Sequence, residues 1–167
     1  MIYYDVFNSK YGAILVCADT EGIRQINFQD GKNFTPIESD WIHSREKLEA
    51  AVEQLKAYFA GEIQNFELPL APRGTDFQQR VWKALRNIPF GETRTYQDIA
   101  IELGNPNTSR AVGLANSLNP IPIVIPCHRV IGKNGKLTGY SGGMKLKEKL
   151  LMHEGILAKS FSLNFNQ

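Results

Sequence analysis

The sequence predicts an α+β protein in which a small β-sheet and helix domain is followed by a mainly helical domain. Three β-like runs lie within the first 28 residues. Pro69, Pro72 and Gly74 then mark a connection. After it, apolar residues recur at helical spacing, and two short helices are joined by a tight glycine-containing turn, which is typical of a helix-turn-helix. We therefore expect one domain over residues 1–72 and a second over residues 73–167.

The first domain is expected to contain four strands and one helix. The strands are predicted over residues 2–7, 13–18, 22–28 and 66–70, with a hairpin turn over residues 9–12. The helix is predicted over residues 44–60, because its apolar residues form one stripe at helical spacing. Ser44 is a suitable N-cap for this helix, and Gly61 follows it as a C-terminal stop.

The second domain is expected to be built from four helices. They are predicted over residues 76–88, 95–103, 108–118 and 144–154. The second helix begins at Thr95 with a capping-box pattern in which Asp98 takes the usual Glu or Gln position. Gly104 and Pro106 separate the second helix from the third, so these two form the predicted helix-turn-helix.

Residues 123–130 contain the strongest candidate for chemistry. An apolar run ends at Pro126, which favours an extended conformation for the residue before it, and Cys127 follows directly. We therefore expect Cys127 at the end of a buried strand-like segment. Its neighbours His128 and Arg129 are potentially positive, and cationic neighbours lower a thiol pKa and favour the nucleophilic thiolate. The alternative is a small apolar residue at the edge of the core.

Glu154 is placed against local preference, because a carboxylate at a helix C-terminus opposes the helix dipole at a cost of about 0.3–1 kcal/mol. Together with Cys127 and His128 it supplies the residue types of a nucleophile, a base and a group that orients the base. The sequence leaves open whether the three converge or whether Glu154 is an exposed helix-end residue.

The predicted helix over residues 108–118 has a surface suited to a nucleic-acid groove. Ser109, Ala111 and Gly113 are small, and Arg110 is the long polar side chain of this helix. Reading bases in the major groove requires several long polar side chains, so little base readout is expected. Small residues permit close approach to a groove, and Arg110 is suited to enter the duplex, as inserted side chains of minor-groove proteins do. A tightly packed helix pair with a solvated Arg110 is the alternative.

The composition is that of an ordinary soluble globular protein, with 43% hydrophobic and 22% charged residues. No apolar run approaches the about 20 residues that span a bilayer, and the N-terminus shows no secretory signal, so no membrane partner is expected. Two cysteines without a disulfide framework indicate a reducing, cytoplasmic location. The cysteines and histidines lack metal-ligand spacing, so no metal is expected.

Charge is distributed unevenly along the chain. Net charge is −5 over residues 1–72 and +7 over residues 73–167. A basic second domain favours contact with a polyanion such as nucleic acid, although a solvated surface with incidental asymmetry explains the same numbers.

Several motifs together resemble the O6-alkylguanine-DNA alkyltransferases, also called O6-methylguanine-DNA methyltransferases. The active-site motif of that family is matched by Pro126-Cys127-His128-Arg129-Val130. Further matches occur in family order at residues 95–96, 109–113, 119–120, 140–143 and 153–155. The resemblance is strong over residues 75–155, whereas the first 70 residues resemble the family only in their β-rich, ribonuclease-H-like character. It implies a ribonuclease-H-like first domain and a winged-helix-like second domain.

The resemblance also implies an activity, that of a methylated-DNA–protein-cysteine S-methyltransferase. Such a protein binds the minor groove of double-stranded DNA, flips out an O6-alkylguanine and takes the alkyl group onto its own cysteine. No cofactor is implied, and each monomer reacts once, because the thioether that forms is stable. Whether alkylated thymine is also a substrate stays open.

Roles carry over from the family to the matching positions. By resemblance, Cys127 is the acceptor, His128 is its base through a water, and Glu154 orients the imidazole. Asn119 braces the turn before the active-site strand, and Tyr96 donates a proton to the leaving guanine and helps to rotate the phosphate.

The remaining matched positions are implied to hold the DNA and the flipped base. Arg110 fills the gap that the base leaves in the stack. The DNA-binding positions are Thr95, Tyr96, Ser109, Arg110, Ala111 and Gly113. The guanine-binding positions are Pro122, Val130, Tyr140 and Ser141, together with the backbone of Cys127.

The chain departs from family members that hold zinc in the first domain, since it has Cys17 there but no comparable ligand set. The cysteine-rich N-terminal region of transcription-regulating members is also not matched. Three other classes of protein fit these residues less well. An alkyltransferase-like damage binder would replace the cysteine, a transcription factor would need longer side chains on the third helix, and a cysteine hydrolase would not need Tyr96 and Arg110.

Overall fold

The computed structural model describes residues 1–31, 33–140 and 142–157, and within it the chain divides into two compact units, Met1–Arg73 and Gly74–Gln167. In the described ranges, the first unit contains a sheet and a helix, and the second contains four helices and a two-stranded sheet. The predicted α+β class is confirmed. Ser141 lies outside the described residues. Among the helices described, none is both long enough and apolar enough to cross a membrane.

The first unit is built on a four-stranded sheet with the spatial order β3–β2–β1–β4. The strands are β1 (Tyr3–Ser9), β2 (Gly12–Ala18), β3 (Ile23–Phe28) and β4 (Ile42–His43). β1, β2 and β3 pair antiparallel, and β4 pairs parallel to β1. β4 was not predicted, because two residues are too few to produce a recognisable pattern.

Helix α1 (Arg45–Phe59) covers β1 and β2. It begins as predicted after Ser44, whose side chain accepts a hydrogen bond from the backbone N–H of Lys47 at 3.2 Å. Its apolar stripe is buried, with Leu48 and Leu55 fully excluded from solvent. The amphipathic pattern of the sequence therefore becomes the contact between the helix and the sheet.

The prediction of a strand over residues 66–70 is wrong. Only Leu70 pairs with the sheet, through a parallel bridge to Ile23. Earlier in the same segment, the carboxamide of Gln54 hydrogen-bonds to both backbone groups of Glu67. Its Oε1 accepts from the N–H at 2.9 Å, and its Nε2 donates to the carbonyl at 3.1 Å. A side chain thus supplies the hydrogen bonds that a neighbouring strand would have made.

The second unit contains the four predicted helices, each ending within two residues of the predicted position. The helices are α2 (Asp76–Arg86), α3 (Tyr96–Glu102), α4 (Ser109–Ser117) and α5 (Met144–His153). Two short strands, β5 (Arg94–Thr95) and β6 (Val130–Ile131), pair in parallel. Short 3₁₀ helices cover Pro106–Thr108, Cys127–Arg129 and Lys133–Gly135.

Helices α3 and α4 form the predicted helix-turn-helix. The capping box at the start of α3 is present: Thr95 Oγ1 accepts from the N–H of Asp98 at 3.0 Å, and Asp98 Oδ2 accepts from the N–H of Thr95 at 2.8 Å. On its inner side, α4 is held by α2, where the indole N–H of Trp82 donates to the carbonyl of Ala115 at 2.9 Å. The opposite side of α4 is left exposed.

The prediction of a strand-like segment before Cys127 is wrong. The chain forms a tight turn there, closed by a hydrogen bond from the N–H of Ile125 to the carbonyl of Ile121 at 2.9 Å. Ile123, at its centre, has φ 75°, a left-handed conformation that β-branched residues rarely adopt. The apolar run reflects complete burial of a compact turn, which a pattern of hydrophobicity does not distinguish from a buried strand.

Candidate active site

Cys127 is the first residue of the 3₁₀ helix Cys127–Arg129, and it is 2% exposed. Its backbone N–H donates to the carbonyl of Ile125 at 2.7 Å, which fixes the cysteine to the preceding turn. The carboxamide of Asn119 and the ammonium of Lys147 both act to lower the pKa of the thiol and so favour the thiolate. The cysteine therefore lies in a buried but polar environment.

Burial raises the pKa of Cys127 to about 11. The Asn119 hydrogen bond and the positive charge of Lys147 act in the opposite direction but do not outweigh burial. The expected net lowering of this pKa is wrong: the backbone of His128 does lower it, but the guanidinium of Arg129 is paired with Glu154, and burial prevails. At neutral pH the thiol keeps its proton, so nucleophilic attack by Cys127 requires a base.

The imidazole of His128 is bound to Glu154, with Nε2 at 2.7 Å from Oε2 and both side chains fully buried. A carboxylate that faces a guanidinium is ionised and only accepts hydrogen bonds, so Nε2–H is the donor and Nδ1 is the basic nitrogen. Nδ1 has no hydrogen-bond partner among the described residues. Burial holds the pKa of His128 below its ordinary value, against the opposing effect of Glu154. The imidazole is thus neutral and able to accept a proton.

Arg129 fixes Glu154 from the other side. Its Nε donates to Oε1 at 2.7 Å and its Nη2 donates to Oε2 at 3.0 Å, while Nη1 donates to the carbonyl of Ile88 at 2.6 Å. Sequence reasoning missed this role of Arg129. The signal was available, because a buried carboxylate requires a buried partner and an arginine stands beside the candidate base.

Asn119 braces the turn that precedes the cysteine. Its Oδ1 accepts from the N–H of Ile121 at 2.9 Å, and its Nδ2 donates to the carbonyl of Ile125 at 2.8 Å. One side chain therefore ties the two ends of the turn together, and the same carboxamide acts to lower the pKa of Cys127.

Lys147 is a site residue that sequence reasoning missed. It is fully buried, and its Nζ donates to the carbonyls of Val130 at 2.6 Å and Thr138 at 2.8 Å. Burial lowers its pKa to about 8. The signal lies in its spacing, since Lys147 precedes the core residues Leu150 and Leu151 by three and four positions and so shares their face of α5.

Tyr96, the first residue of α3, is half-buried, and its hydroxyl lies 2.8 Å from Oγ1 of Thr138. Burial raises the pKa of Tyr96, the hydrogen bond with Thr138 lowers it, and an ionised Cys127 would raise it further. The phenol is therefore protonated at neutral pH, and it is electrostatically coupled to the thiol.

Three of the positions implied to bind guanine are buried around the cysteine or in the loop before α5. Pro122 belongs to the turn before Cys127, Val130 follows the 3₁₀ turn, and Tyr140 is 8% exposed. Gly142 leaves room for the Tyr140 ring, since an added Cβ would lie 3.0 Å from it. The fourth position, Ser141, lies outside the described residues.

The outer side of α4 carries the positions implied to contact DNA. Arg110 and Ala111 are exposed, and Ser109 is half-buried. The same helix exposes Leu114 and Leu118, with 63% and 52% of their surface accessible. This side of the helix therefore combines one long cation, small residues and apolar surface.

Gly113 lies on α4 opposite the ring of Tyr96. A Cβ added at this glycine would lie 3.7 Å from the ring, which is ordinary van der Waals contact. Packing inside the protein therefore does not require a glycine here. Thr95, another implied DNA contact, caps α3 with its hydroxyl.

A buried thiol, a neutral imidazole fixed by an ion pair and a protonated phenol together suit the transfer of a group to cysteine. The helix-turn-helix with its exposed α4 places this chemistry in a DNA-binding domain. The class of protein defined by the fold and the site is a DNA-acting transferase with a cysteine acceptor.

Comparison with known proteins agrees with this class. Residues 76–156 match the DNA-binding domain of 6-O-methylguanine DNA methyltransferase, and residues 2–72 match its ribonuclease-like domain. The methylated-DNA–protein-cysteine methyltransferase of Methanosarcina acetivorans is 54% identical over 154 residues, which are 92% of this chain and 99% of that protein. The protein of the same name from Mycobacterium tuberculosis is 48% identical over 151 residues, 90% of this chain and 91% of that one.

Solved structures agree as well. The crystal structure of Mycobacterium tuberculosis OGT in complex with DNA has a TM-score of 0.85 and 46% identity, covering 92% of this chain and 93% of that chain. The O6-methylguanine-DNA methyltransferase of Pyrococcus kodakaraensis has a TM-score of 0.66 and 27% identity, covering 93% and 99%. The chain belongs to the 6-O-methylguanine DNA methyltransferase family. It is a DNA-binding repair enzyme that transfers alkyl groups to cysteine.

Proposed function

We propose that Cys127 is the acceptor of this repair reaction and that it takes the alkyl group from an O6-alkylguanine flipped out of double-stranded DNA. The observation that carries the proposal is the position of His128 next to Cys127, with Nε2 bound to Glu154 and Nδ1 left as a buried base. The other cysteine, Cys17, is buried within β2, and no polar group of the described residues lowers its pKa.

The proposed reaction is a single displacement. The thiol proton of Cys127 passes through a water to Nδ1 of His128, and the imidazolium that forms is stabilised by Glu154. The sulfur then bonds to the alkyl carbon as the bond from that carbon to O6 breaks. Tyr96 supplies a proton to the leaving guanine. The thioether is stable, so each molecule reacts once.

The guanine pocket is proposed to form from Pro122, Val130, Tyr140 and Ser141. Extrusion of the damaged base costs a few kcal/mol of stacking, and this cost is least for a poorly paired base, which contributes to selectivity. We assign the protein to the cytoplasm and expect it to act as a monomer.

The proposed DNA interface is the exposed side of α4 in the minor groove. The small residues Ser109, Ala111 and Gly113 permit close approach to the DNA. Thr95 and Tyr96 contact the DNA backbone. Arg110 fills the place that the flipped base leaves in the stack. Changing Arg110→Ala should slow transfer from duplex DNA far more than transfer from free O6-benzylguanine, because only the duplex requires extrusion of a base. Single-turnover rates on both substrates measure this. An equal loss of rate on both substrates would contradict the role of Arg110 in replacing the flipped base.

The first experiment is intact-protein mass spectrometry after incubation with a duplex that carries one O6-methylguanine. We expect the mass to rise by one methyl group in place of one hydrogen, to saturate at one group per protein, and to map to the peptide containing Cys127. Tight binding to the damaged duplex without a gain in mass would instead make the protein a non-catalytic damage binder, the runner-up function.

A further inference from the structure

The hydroxyl of Tyr96 has a defined partner in the described structure, the side chain of Thr138. Tyr96 Oη lies 2.8 Å from Thr138 Oγ1 and 3.5 Å from the carbonyl oxygen of the same residue. Thr138 comes from the segment between β6 and α5, far from α3 in sequence. Neither the sequence motifs nor the roles carried over from the family assign it a function.

Thr138 is held in place from two sides. Its carbonyl accepts a hydrogen bond from Nζ of Lys147 at 2.8 Å, and the same ammonium binds the carbonyl of Val130. Its methyl group faces Gly132, where an added Cβ would lie 3.4 Å from Cγ2. With its backbone and its methyl group both fixed, the Thr138 side chain presents its hydroxyl to Tyr96.

The geometry suits a hydroxyl that assists proton donation. When a phenol gives up its proton, negative charge develops on its oxygen, and a hydrogen-bond donor to that oxygen stabilises the charge. Either oxygen of the Tyr96–Thr138 pair is able to act as donor. When the threonine hydroxyl donates, the phenol proton is free to point toward a substrate. In agreement, the hydrogen bond with Thr138 lowers the pKa of Tyr96.

We propose that Thr138 is a positioning residue for alkyl transfer, whose hydroxyl donates to Tyr96 Oη while the phenol proton moves to the leaving guanine. The proposal rests on the proposed role of Tyr96 as proton donor. As the sulfur–carbon bond forms and the bond from carbon to O6 breaks, the guanine gains the phenol proton and His128 holds the thiol proton. The phenolate, stabilised by Thr138, is then reprotonated at the expense of the imidazolium, which returns both groups to their starting states.

A double-mutant cycle tests this coupling. Thr138→Val keeps the shape of the side chain and removes the hydroxyl, Thr138→Ser keeps the hydroxyl, and Tyr96→Phe removes the phenol oxygen. Loss of one hydrogen bond that acts in the transition state should slow Thr138→Val by about tenfold, measured as single-turnover transfer of methyl from the O6-methylguanine duplex and of benzyl from free O6-benzylguanine. Thr138→Ser should restore most of the rate.

The decisive variant is Thr138→Val combined with Tyr96→Phe. If Thr138 acts through the phenol, the double variant is no slower than Tyr96→Phe alone, because the partner of the hydroxyl is already absent. An equal loss of rate in both backgrounds would overturn the proposal and make Thr138 a structural residue. A serine variant as slow as the valine variant would also overturn it.

Failure of the proposal is distinguishable from failure of the proposed function. If the unmodified protein gains no methyl group, the reaction assigned to Cys127 is wrong. If Tyr96→Phe keeps the full rate, the proton-donor role of Tyr96 is wrong, and with it the role of Thr138. Thermal unfolding of each variant controls for loss of structure, and we expect unchanged melting temperatures for Thr138→Ser and Tyr96→Phe.

Discussion

Cys17 and Cys127 are equally buried but lie in different surroundings. Each is 2% exposed, and burial raises the pKa of Cys17 to about 12 and that of Cys127 to about 11. Burial is the one cause that acts on Cys17, in the interior of β2. Around Cys127, a carboxamide from Asn119 and an ammonium from Lys147 oppose burial. Exposure and pKa therefore do not separate a core thiol from the proposed acceptor. The polar groups around the thiol distinguish the two.

The largest expected effect comes from replacing each cysteine in turn. Cys127→Ala should abolish the gain of a methyl group from O6-methylguanine DNA, whereas Cys17→Ala should leave the rate and the extent of the gain unchanged. Intact-protein mass spectrometry on the two variants measures this. A methyl group on the Cys127→Ala protein would identify Cys17 or another side chain as an acceptor and would contradict the role proposed for Cys127.

Glu154→Gln tests whether the buried ion pair distinguishes the two thiols. The carboxamide cannot stabilise an imidazolium, so transfer to Cys127 should slow by about 100-fold, a typical contribution of a positioned base. Arg129 also loses its buried counter-ion, which should lower the free energy of unfolding by about 3–5 kcal/mol. Single-turnover rates and urea unfolding give the two readouts. Glu148→Gln, half-buried on the same helix, is the matched control and should change neither.

Lys147→Met tests the contribution of the buried ammonium. Without its positive charge the pKa of Cys127 should rise, and transfer at pH 7, where the Lys147 ammonium is mostly protonated, should slow by about tenfold, which corresponds to a change of about 1.4 kcal/mol in the ionisation of the thiol. The rate of Cys127 alkylation by iodoacetamide as a function of pH reports the shift directly. Lys145→Met, exposed on the same helix, should leave that profile unchanged. If Lys147→Met leaves the pH dependence of Cys127 alkylation unchanged, the ammonium does not influence the pKa of the thiol.

The last expected effect is on stability at alkaline pH. Because the folded protein keeps Cys17 protonated up to about pH 12, the stability linked to this group is present at pH 8 and is lost as pH rises and the unfolded chain ionises. Between pH 8 and pH 10 the unmodified protein should lose about 1.5–2 kcal/mol more stability than Cys17→Ala. Urea unfolding at both pH values measures the difference. Lys147, whose pKa of about 8 acts with the opposite sign, is common to both proteins and cancels.

The elements with local signals were predictable from the sequence. The capping box at Thr95 and the amphipathic stripe of α1 depend on residues three or four positions apart, so the sequence displays them directly. The turn at Ile123 was mistaken for a strand, because its left-handed residue is an isoleucine and its conformation is held by the distant carboxamide of Asn119. Long-range partners of this kind leave no periodic pattern.

The site followed the same rule. His128, Glu154 and Asn119 were anticipated as positions, because they resemble a family motif or stand against local preference. Lys147 and Thr138 were not, since a lysine on a helix and a threonine in a loop are ordinary until the fold brings the ammonium of Lys147 to the carbonyl of Thr138. Sequence reasoning found the residues that are unusual where they stand, and it missed those that become unusual through their neighbours.

The contact between His128 and Glu154 also sets an order of events during synthesis. Glu154 follows His128 by 26 residues and caps the end of α5, so the base cannot be oriented until that helix has been made and has docked. Because chains fold as they emerge from the ribosome, Cys127 leaves the exit tunnel before the proposed base and its carboxylate have met. Until Glu154 has emerged as well, the proposed base is not oriented, so the thiol of an unfinished chain is expected to be unreactive.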